Sequence, residues 1–429
     1  MRRFFFSLFL VFFCVCCLTM SAHSQTKYSL NDLCREANKN AEIIKIAEED
    51  LTIAEQDKNR ALSVLIPRAT LFGNYLNYKR EDAVSPDSNV FGAKLTQSFT
   101  LNGRELIAYD VTKKGIEKAQ FSKETIRADY LFQVAQTYFQ TLSAKRLLEI
   151  AQADVERLQT HKNFVTEKLN VGNVTKTALY RADAELSRSK TDEIVANNRV
   201  GQNKASLVRL AGISDDFTVS AGDVKSIDDF TTTLDEIQTQ ALKSRFELKE
   251  AKKTVEIATE SVEYEKGDYW PTLSLEGGYK KNDISYLSMD YDGDNTYIQA
   301  ELAFTLYDGG LRRAQVRKRV ADENKAKQAL SLEEKKIIFE SKVSFLEFET
   351  ARNALDNLQH ELKSAQENFK AVDMQFKYGM ANSIDIMDAN TLLVQAERRI
   401  ADAEYTLYLS VLKILYTKGD LLSYLLTDS

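Results

Sequence analysis

The chain has 429 residues, 63 acidic against 57 Lys and Arg side chains, and a formal charge of −6. That mild acidity gives no support to nucleic-acid binding. Only three prolines and 16 glycines interrupt it, so long stretches are free to be helical, far beyond the roughly one third of residues usual in a globular enzyme.

Residues 1–24, MRRFFFSLFLVFFCVCCLTMSAHS, read as a secretory signal peptide: two arginines, a short apolar run, then the small-residue site Ala22-His23-Ser24. Their removal takes two arginines and no acids, moving the charge from −6 to −8. It also takes Cys14, Cys16 and Cys17, leaving Cys34 alone and excluding an internal disulfide framework. No later run of about 18 apolar residues is long enough for a spanning helix, so any entry into a bilayer is expected through strands.

The rest is a tandem duplication at an offset of 204 to 207 residues. The first structural repeat is placed at 25–212, with a β-hairpin at about 66–103. A linker follows at 213–240, then the second repeat at 241–418 with a hairpin at about 269–308, and a tail at 419–429. Pro67 answers Pro271, "FTLNG" at 99–103 answers "FTLYDG" at 304–309, and Gly172 answers Gly379. Within each repeat the predicted order is helix, two strands, long helix, returning helix.

Both hairpins carry period-2 alternation. Ala93, Leu95, Gln97, Phe99 and Leu101 alternate with Lys94, Thr96, Ser98 and Thr100; Ile298, Ala300, Leu302, Phe304 and Leu306 alternate with polar or small residues over 297–306. A soluble core could use such a hairpin at its edge. A strand of about 10 residues tilted by ~40° also reaches about 25 Å, the apolar height of an outer-membrane barrel. Four strands cannot close a barrel, and open edges in lipid would leave backbone groups unpaired, so several chains must contribute; two or three copies would give eight or twelve strands.

Helical seams follow. Ala351, Leu355, Leu358, Leu362, Ala365, Phe369, Val372 and Phe376 recur at alternating steps of four and three, the earlier copy runs from Ala144 to Leu169 with one lysine, Lys162, and Ile386 to Leu407 continue the seam after the turn. Sustained heptads predict coiled-coil hairpins about 100 Å long, with turns at Gly172 and Gly379.

At the second turn, Asp385 and Asp388 share one helix face. They fit a helix start, with Asn382 as N-cap and Asp385 as capping-box acid; brought together by symmetry they also fit a ring of acids that favours cations. Asp290, Asp292, Asp294 and Glu301 fall at positions 1, 3, 5 and 12 of an EF-hand loop, but Asn295 stands where glycine belongs and strands flank it, so an acidic extracellular loop is the expectation. His161 and His360 lack ligand partners at metal spacing, no nucleophile grouping occurs and no cofactor is expected. Tyr269 and Trp270 suit an interfacial aromatic belt.

With its tandem repeat, Pro-led strands, "FTLYDGG" and the Gly379 to Ala389 tip motif, the chain resembles the TolC family of outer-membrane efflux channels over essentially its whole mature length. The resemblance implies a mainly α fold with a membrane β part, in which coiled-coil hairpins form an α-barrel joined to a 12-stranded barrel completed by a homotrimer, with a small mixed equatorial region at 213–240 and in the tail at 419–429. It implies a passive exit duct, not an enzyme, in the outer membrane of a diderm bacterium with a long periplasmic extension, in contact with outer-membrane lipid. It further implies tips that dock a periplasmic adaptor at Val171, Gly172, Asn173 and Val174 and at Tyr378, Gly379, Met380 and Ala381, beneath an inner-membrane pump of RND or ABC type. The family's tip latch of tyrosine, arginine and aspartate maps onto Phe376, Ala381 and Ala178, so that latch cannot form as written. A pore-less periplasmic adaptor or coiled-coil scaffold remains the alternative, one that leaves the paired membrane-height hairpins unexplained.

Overall fold

The computed structural model describes residues 26–77, 87–220, 230–286 and 289–426, with backbone alone at 77, 87, 284–286 and 289–292. The signal peptide and the first hairpin's turn lie outside these residues. A short strand β1 (Thr26–Tyr28) leads into helices α1 (Leu30–Asn40) and α2 (Glu42–Val64), strands β2 (Arg68–Asn77) and β3 (Asp87–Thr100), and helices α3 (Arg104–Asn170) and α4 (Lys176–Ala211). After strand β4 (Phe217–Val219) the pattern recurs as α5 (Leu234–Ser244), α6 (Phe246–Lys266), β5 (Thr272–Tyr286), β6 (Met289–Ala303), α7 (Leu311–Lys377) and α8 (Ser383–Lys418), closed by α9 (Leu421–Leu426).

The two hairpins form one antiparallel sheet in the order β2-β3-β5-β6, joined by the β3–β5 pairing, for example Leu95 opposite Gly277. One face carries Leu71, Tyr75, Phe91, Leu95, Leu275, Tyr279, Ile298 and Leu302, all exposed, with Leu71 at 86% and Ile298 at 90%. The other face is mainly polar, with Phe72, Leu76 and Val90 among its residues: Lys94 Nζ lies 2.9 Å from Glu276, which also accepts from the Tyr297 hydroxyl at 2.8 Å. Gly278 leaves room there for the Tyr297 ring, since a Cβ would meet its hydroxyl oxygen at 2.9 Å. An apolar face outward and a polar face inward is the division a barrel wall in lipid requires. Strand β6 begins earlier than the alternation suggested and ends at Ala303, so Phe304 and Leu306 lie beyond it in the lead to α7.

Helices α3 and α7 are each 67 residues long, about 100 Å. Each packs near the sheet against the helix that precedes its hairpin, α2 or α6, and beyond it against its returning helix, α4 or α8. The seam behaves as its period predicts: Ala351 and Phe376 are buried and the positions between them are half-covered. Lys162, the one charge in the first seam, pairs with Asp183 across the hairpin at 2.6 Å.

The helix preceding each hairpin is two helices, not the single one expected. The chain breaks at Ala41 (φ −61°, ψ 123°) and at Arg245 (φ −55°, ψ 129°), equivalent positions in the repeats. Each break faces the glycine that ends a returning helix. A Cβ on Gly212 would lie 2.9 Å from the Asn40 Cβ, and one on Gly419 would lie 3.1 Å from that of Ser244. Both glycines also have positive φ, 64° and 83°. Around this level sits the largest buried cluster among the described residues. Leu33, Cys34, Leu131, Val134, Tyr138, Phe139, Leu207, Phe217, Leu421 and Leu425 pack together there, with Phe139 stacked on Tyr408 at 5.6 Å. β1 pairs in parallel with β4 at the same level.

Candidate functional site at the helical tips

The two hairpin turns are built alike. Gly172 (φ 77°) and Gly379 (φ 78°) take the left-handed conformation. The next amide of each closes the turn: Asn173 N–H donates to Lys168 O at 2.8 Å and Met380 N–H to Gln375 O at 2.8 Å. Val171, Tyr378 and Met380 stand exposed, at 69%, 80% and 72%, while Val174 and Ala381 tuck half-buried against the helices.

Asn382 caps α8: its Oδ1 accepts from Ile384 N at 2.7 Å and Asp385 N at 3.1 Å, and Asp385 accepts from Asn382 N at 2.8 Å. Asp385 is therefore a capping-box acid. Asp388 is exposed and has no ion pair among the described residues. Both carboxylates point away from the packed side of α8, where Ile386, Met387, Ala389 and Asn390 are buried. The equivalent positions in the first repeat are Ala178 and the exposed Arg181.

Phe376, Ala178 and Ala381, which replace the polar latch of the resembled family, join one apolar cluster with Val165, Ile386, Phe164, Val174, Leu179, Phe369 and Val372. The two hairpins thus meet at their tips through packing. Polar contacts reinforce the joint: Lys168 Nζ donates to Phe376 O at 3.1 Å and Lys377 O at 3.4 Å, a cation at the C-terminus of α7.

His161 was not singled out by the sequence beyond its lack of ligand spacing, yet it lies in this joint. Its Nε2 is 3.2 Å from Ser383 Oγ and its ring centre 5.0 Å from that of Phe376. Burial lowers its pKa below the usual 6.5, and Asp373 opposes the shift. An opened tip therefore binds more protons than a closed one in the histidine range, so closure is at full strength above pH 6.5 and weakens as the pH falls through the lowered pKa. Hydrogen exchange of residues 376–386, corrected for intrinsic rate, should accelerate between pH ~7.5 and pH ~5.5 in the wild type and stay level in His161→Gln. Equal pH responses in the two proteins would contradict this.

A buried network, also missed, lies further along the same joint. The Asp154 carboxylate accepts from Ser189 Oγ at 2.6 Å and Asn390 Nδ2 at 2.8 Å, linking α3, α4 and α8, and Arg157 pairs with Glu397 at 3.1 Å. Its one sequence trace is Asn390, a polar residue beside the seam position Ala389.

The EF-hand spacing does not produce a loop. Residues 290–301 run within β6, so Asp290 and Glu301 are separated by about 36 Å of extended strand and cannot converge on one ion; the acidic loop expected there is a strand as well. The side chains of Asp290 and Asp292 lie outside the described residues. Among the described residues no group of three or more His, Cys, Asp or Glu is placed to hold a metal, and no helix is long and apolar enough to cross a membrane.

The family model described as "Outer membrane efflux protein" matches residues 33–213 and 238–415. The outer membrane protein TolC of Salmonella enteritidis is 23% identical over 394 residues, covering 89% of this chain and 80% of that protein. A membrane protein from Pseudomonas aeruginosa superposes with a TM-score of 0.83 at 16% identity over 94% of each chain. The Campylobacter jejuni CmeC outer membrane channel does so with a TM-score of 0.81 at 17% identity, over 94% of this chain and 91% of its own.

Proposed function

We propose that this chain, which belongs to the outer membrane efflux protein family, assembles as a homotrimer and passively passes to the exterior what an inner-membrane pump of RND or ABC type and a periplasmic adaptor deliver to its tips. The protein is an outer-membrane exit duct with a periplasmic helical extension. The observation that carries the oligomeric reading is the sheet: four strands with an apolar outer face and, among the described residues, two unpaired edges, β2 and β6; the choice of three copies over two follows the family. Three copies make twelve strands, enough to close a barrel.

The adaptor meets the exposed ends of the hairpins, Val171, Gly172 and Asn173 together with Tyr378, Gly379 and Met380. The half-buried Val174 and Ala381 hold those turns to the helices. Asp385 and Asp388, on the unpacked face of α8, form the cation-favouring constriction.

A pore-less scaffold has no use for a lipid-facing sheet, and the two roles separate by fractionation. The chain should sediment with outer membranes, resist extraction by salt and alkali, and migrate faster in unheated than in heated detergent gels. Release by alkali would point to the scaffold.

A further inference from the structure

The sheet and the helices that continue it share one order: β2-β3-β5-β6 runs on as α2, α3, α6 and α7, each helix packed on the next. In the middle of that row β3 and α3 meet β5 and α6, which joins the two repeats inside the chain. The outer edges carry the same elements in exchanged places, since β6 and α7 are the second copies of β3 and α3, while β2 and α2 are the first copies of β5 and α6. The internal junction is therefore a template for what each edge can hold. In the sheet Gln97 faces Leu275 and Ala93 faces Tyr279. Strand β6 follows β3 at an offset of 205, as Phe304 follows Phe99, and β5 follows β2 at 204, as Pro271 follows Pro67. Carried over, the pairing sets Leu302 opposite Leu71 of a second copy and Ile298 opposite its Tyr75. All four are exposed on the apolar face, so the register passes the test that opposed residues share a face.

The helices repeat the pattern. Inside the chain α3 and α6 are tied by Arg104 to Asp268, Lys114 to Glu260 and Glu117 to Lys253. On that seam Arg104, Val111, Lys118, Ser122 and Thr125 are half-covered, yet their counterparts Leu311, Lys318, Lys325, Ala329 and Leu332 are all exposed. Likewise Glu247, Glu250, Thr254, Ser261 and Asp268 are half-covered, and their counterparts Ile43, Ile46, Asp50, Asp57 and Val64 are exposed. Carrying over the level of Arg104 and Asp268 sets Leu311 beside Val64 of a second copy. Steps of seven, two turns of a supercoiled pair, then set Lys318 beside Asp57, Lys325 beside Asp50 and Leu332 beside Ile43, with Ala329 and Ile46 between the last two. Every apolar residue meets an apolar one and every lysine an acid. Among the described residues Lys318, Lys325 and Asp50 have no ion pair, and Asp57 has only Arg60 of its own helix. The wider charges agree: α2 has six acids and three bases, and residues 311–332 have seven bases and two acids. Wrong partners fit badly, because α7 on α6 would set Leu311 on Asp268 and Leu332 on Glu247, and α3 on α2 would set Arg104 on Val64 and Val111 on Asp57.

We propose that β2 and α2 of a second copy dock on β6 and α7 in the register of the internal junction, with Leu71 on Leu302, Asp57 on Lys318 and Asp50 on Lys325. The two edges differ, so the contact is head-to-tail and repeats until a ring closes. That the partner is a second copy rests on the duct reading above; the register and the charge pairs go beyond it.

The register is tested by oxidising the full chain in membranes with Leu71→Cys and Leu302→Cys together, and reading heated, non-reducing gels. Opposed strand residues lie about 4.5–5.5 Å apart, within reach of a disulfide, whereas the pair Tyr75→Cys and Leu302→Cys is displaced by about 13 Å along the strand. Cys34 is buried, and each single variant controls for it. The expected result is a covalent ladder ending in one closed multimer for the first pair, and a yield lower by about tenfold or more for the second. Equal yields, or a preference for Tyr75, overturn the register; a three-chain mass in native mass spectrometry then leaves the duct standing, and a monomer mass removes both. The charge pair is tested separately. Lys318→Glu should slow the appearance of the assembled, heat-modifiable form several-fold, and Asp57→Lys in the same chain should restore it. No slowing, or slowing without rescue, overturns the pairing of Lys318 with Asp57.

Discussion

In single-channel recordings, replacing Asp385 and Asp388 together by asparagine should bring the cation-to-anion permeability ratio close to unity and abolish block by multivalent cations, in a channel that still assembles. A carboxylate about 10 Å from a permeant ion attracts it by about 1.7 kcal/mol at an effective dielectric of 20, and in the proposed trimer three chains would bring six such groups to one level. The geometry survives the change because asparagine keeps the shape, and at 385 it keeps an oxygen to accept from Asn382 N–H, the bond that now measures 2.8 Å. Arg181 in the first repeat cannot restore the preference, being of opposite charge. The matching control is Asn382→Ala, which removes the cap and costs α8 about 1 kcal/mol while leaving both charges in place. If the carboxylates act only as helix starters, the control and the double variant will both lower stability slightly, and neither will change which ions pass.

Replacing Gly172 and Gly379 together by valine should abolish export while the protein still assembles and inserts. No heavy atom lies within 4 Å of where either Cβ would be, so the turns have room for a side chain inside this chain. Two effects remain. A non-glycine residue at φ near 77° costs roughly 1–2 kcal/mol, which frays the turn, and a branched side chain keeps a partner's backbone from approaching. Asparagine tolerates the left-handed conformation and separates the two. The Gly172→Asn, Gly379→Asn variant should have a wild-type turn by hydrogen exchange yet export several-fold less than wild type, because the adaptor still meets a side chain. Undiminished export by the valine variant would remove the tips from the docking surface.

Local rules made much of this architecture legible. Period-2 alternation marked the sheet's two faces, the four-three spacing marked the seams, and the glycines at 172 and 379 marked the turns because that residue takes positive φ most readily. What stayed hidden depends on partners far apart in sequence. The breaks at Ala41 and Arg245 contain neither glycine nor proline, and the residues that accommodate them, Gly212 and Gly419, are more than 170 positions away. Asp154 looked like any surface acid of a long helix, since its partner Asn390 lies 236 residues on. His161 offered no metal spacing, and its role in the joint follows from Ser383 and Phe376, supplied by the other repeat. At the latch positions the sequence could say only that a polar clasp was missing; packing shows Phe376, Ala178 and Ala381 in one apolar cluster instead. Asn295 and the flanking strands already spoke against an EF-hand at 290–301; the acidic loop expected there is a strand because ladder pairing with β5 holds the chain straight.

The threefold duct is tested most directly by native mass spectrometry of the detergent-extracted protein. A barrel of twelve strands requires one dominant species of three chains that persists as detergent is removed in the gas phase. A dominant monomer, dimer or tetramer would contradict it, because four, eight or sixteen strands would then have to form the wall.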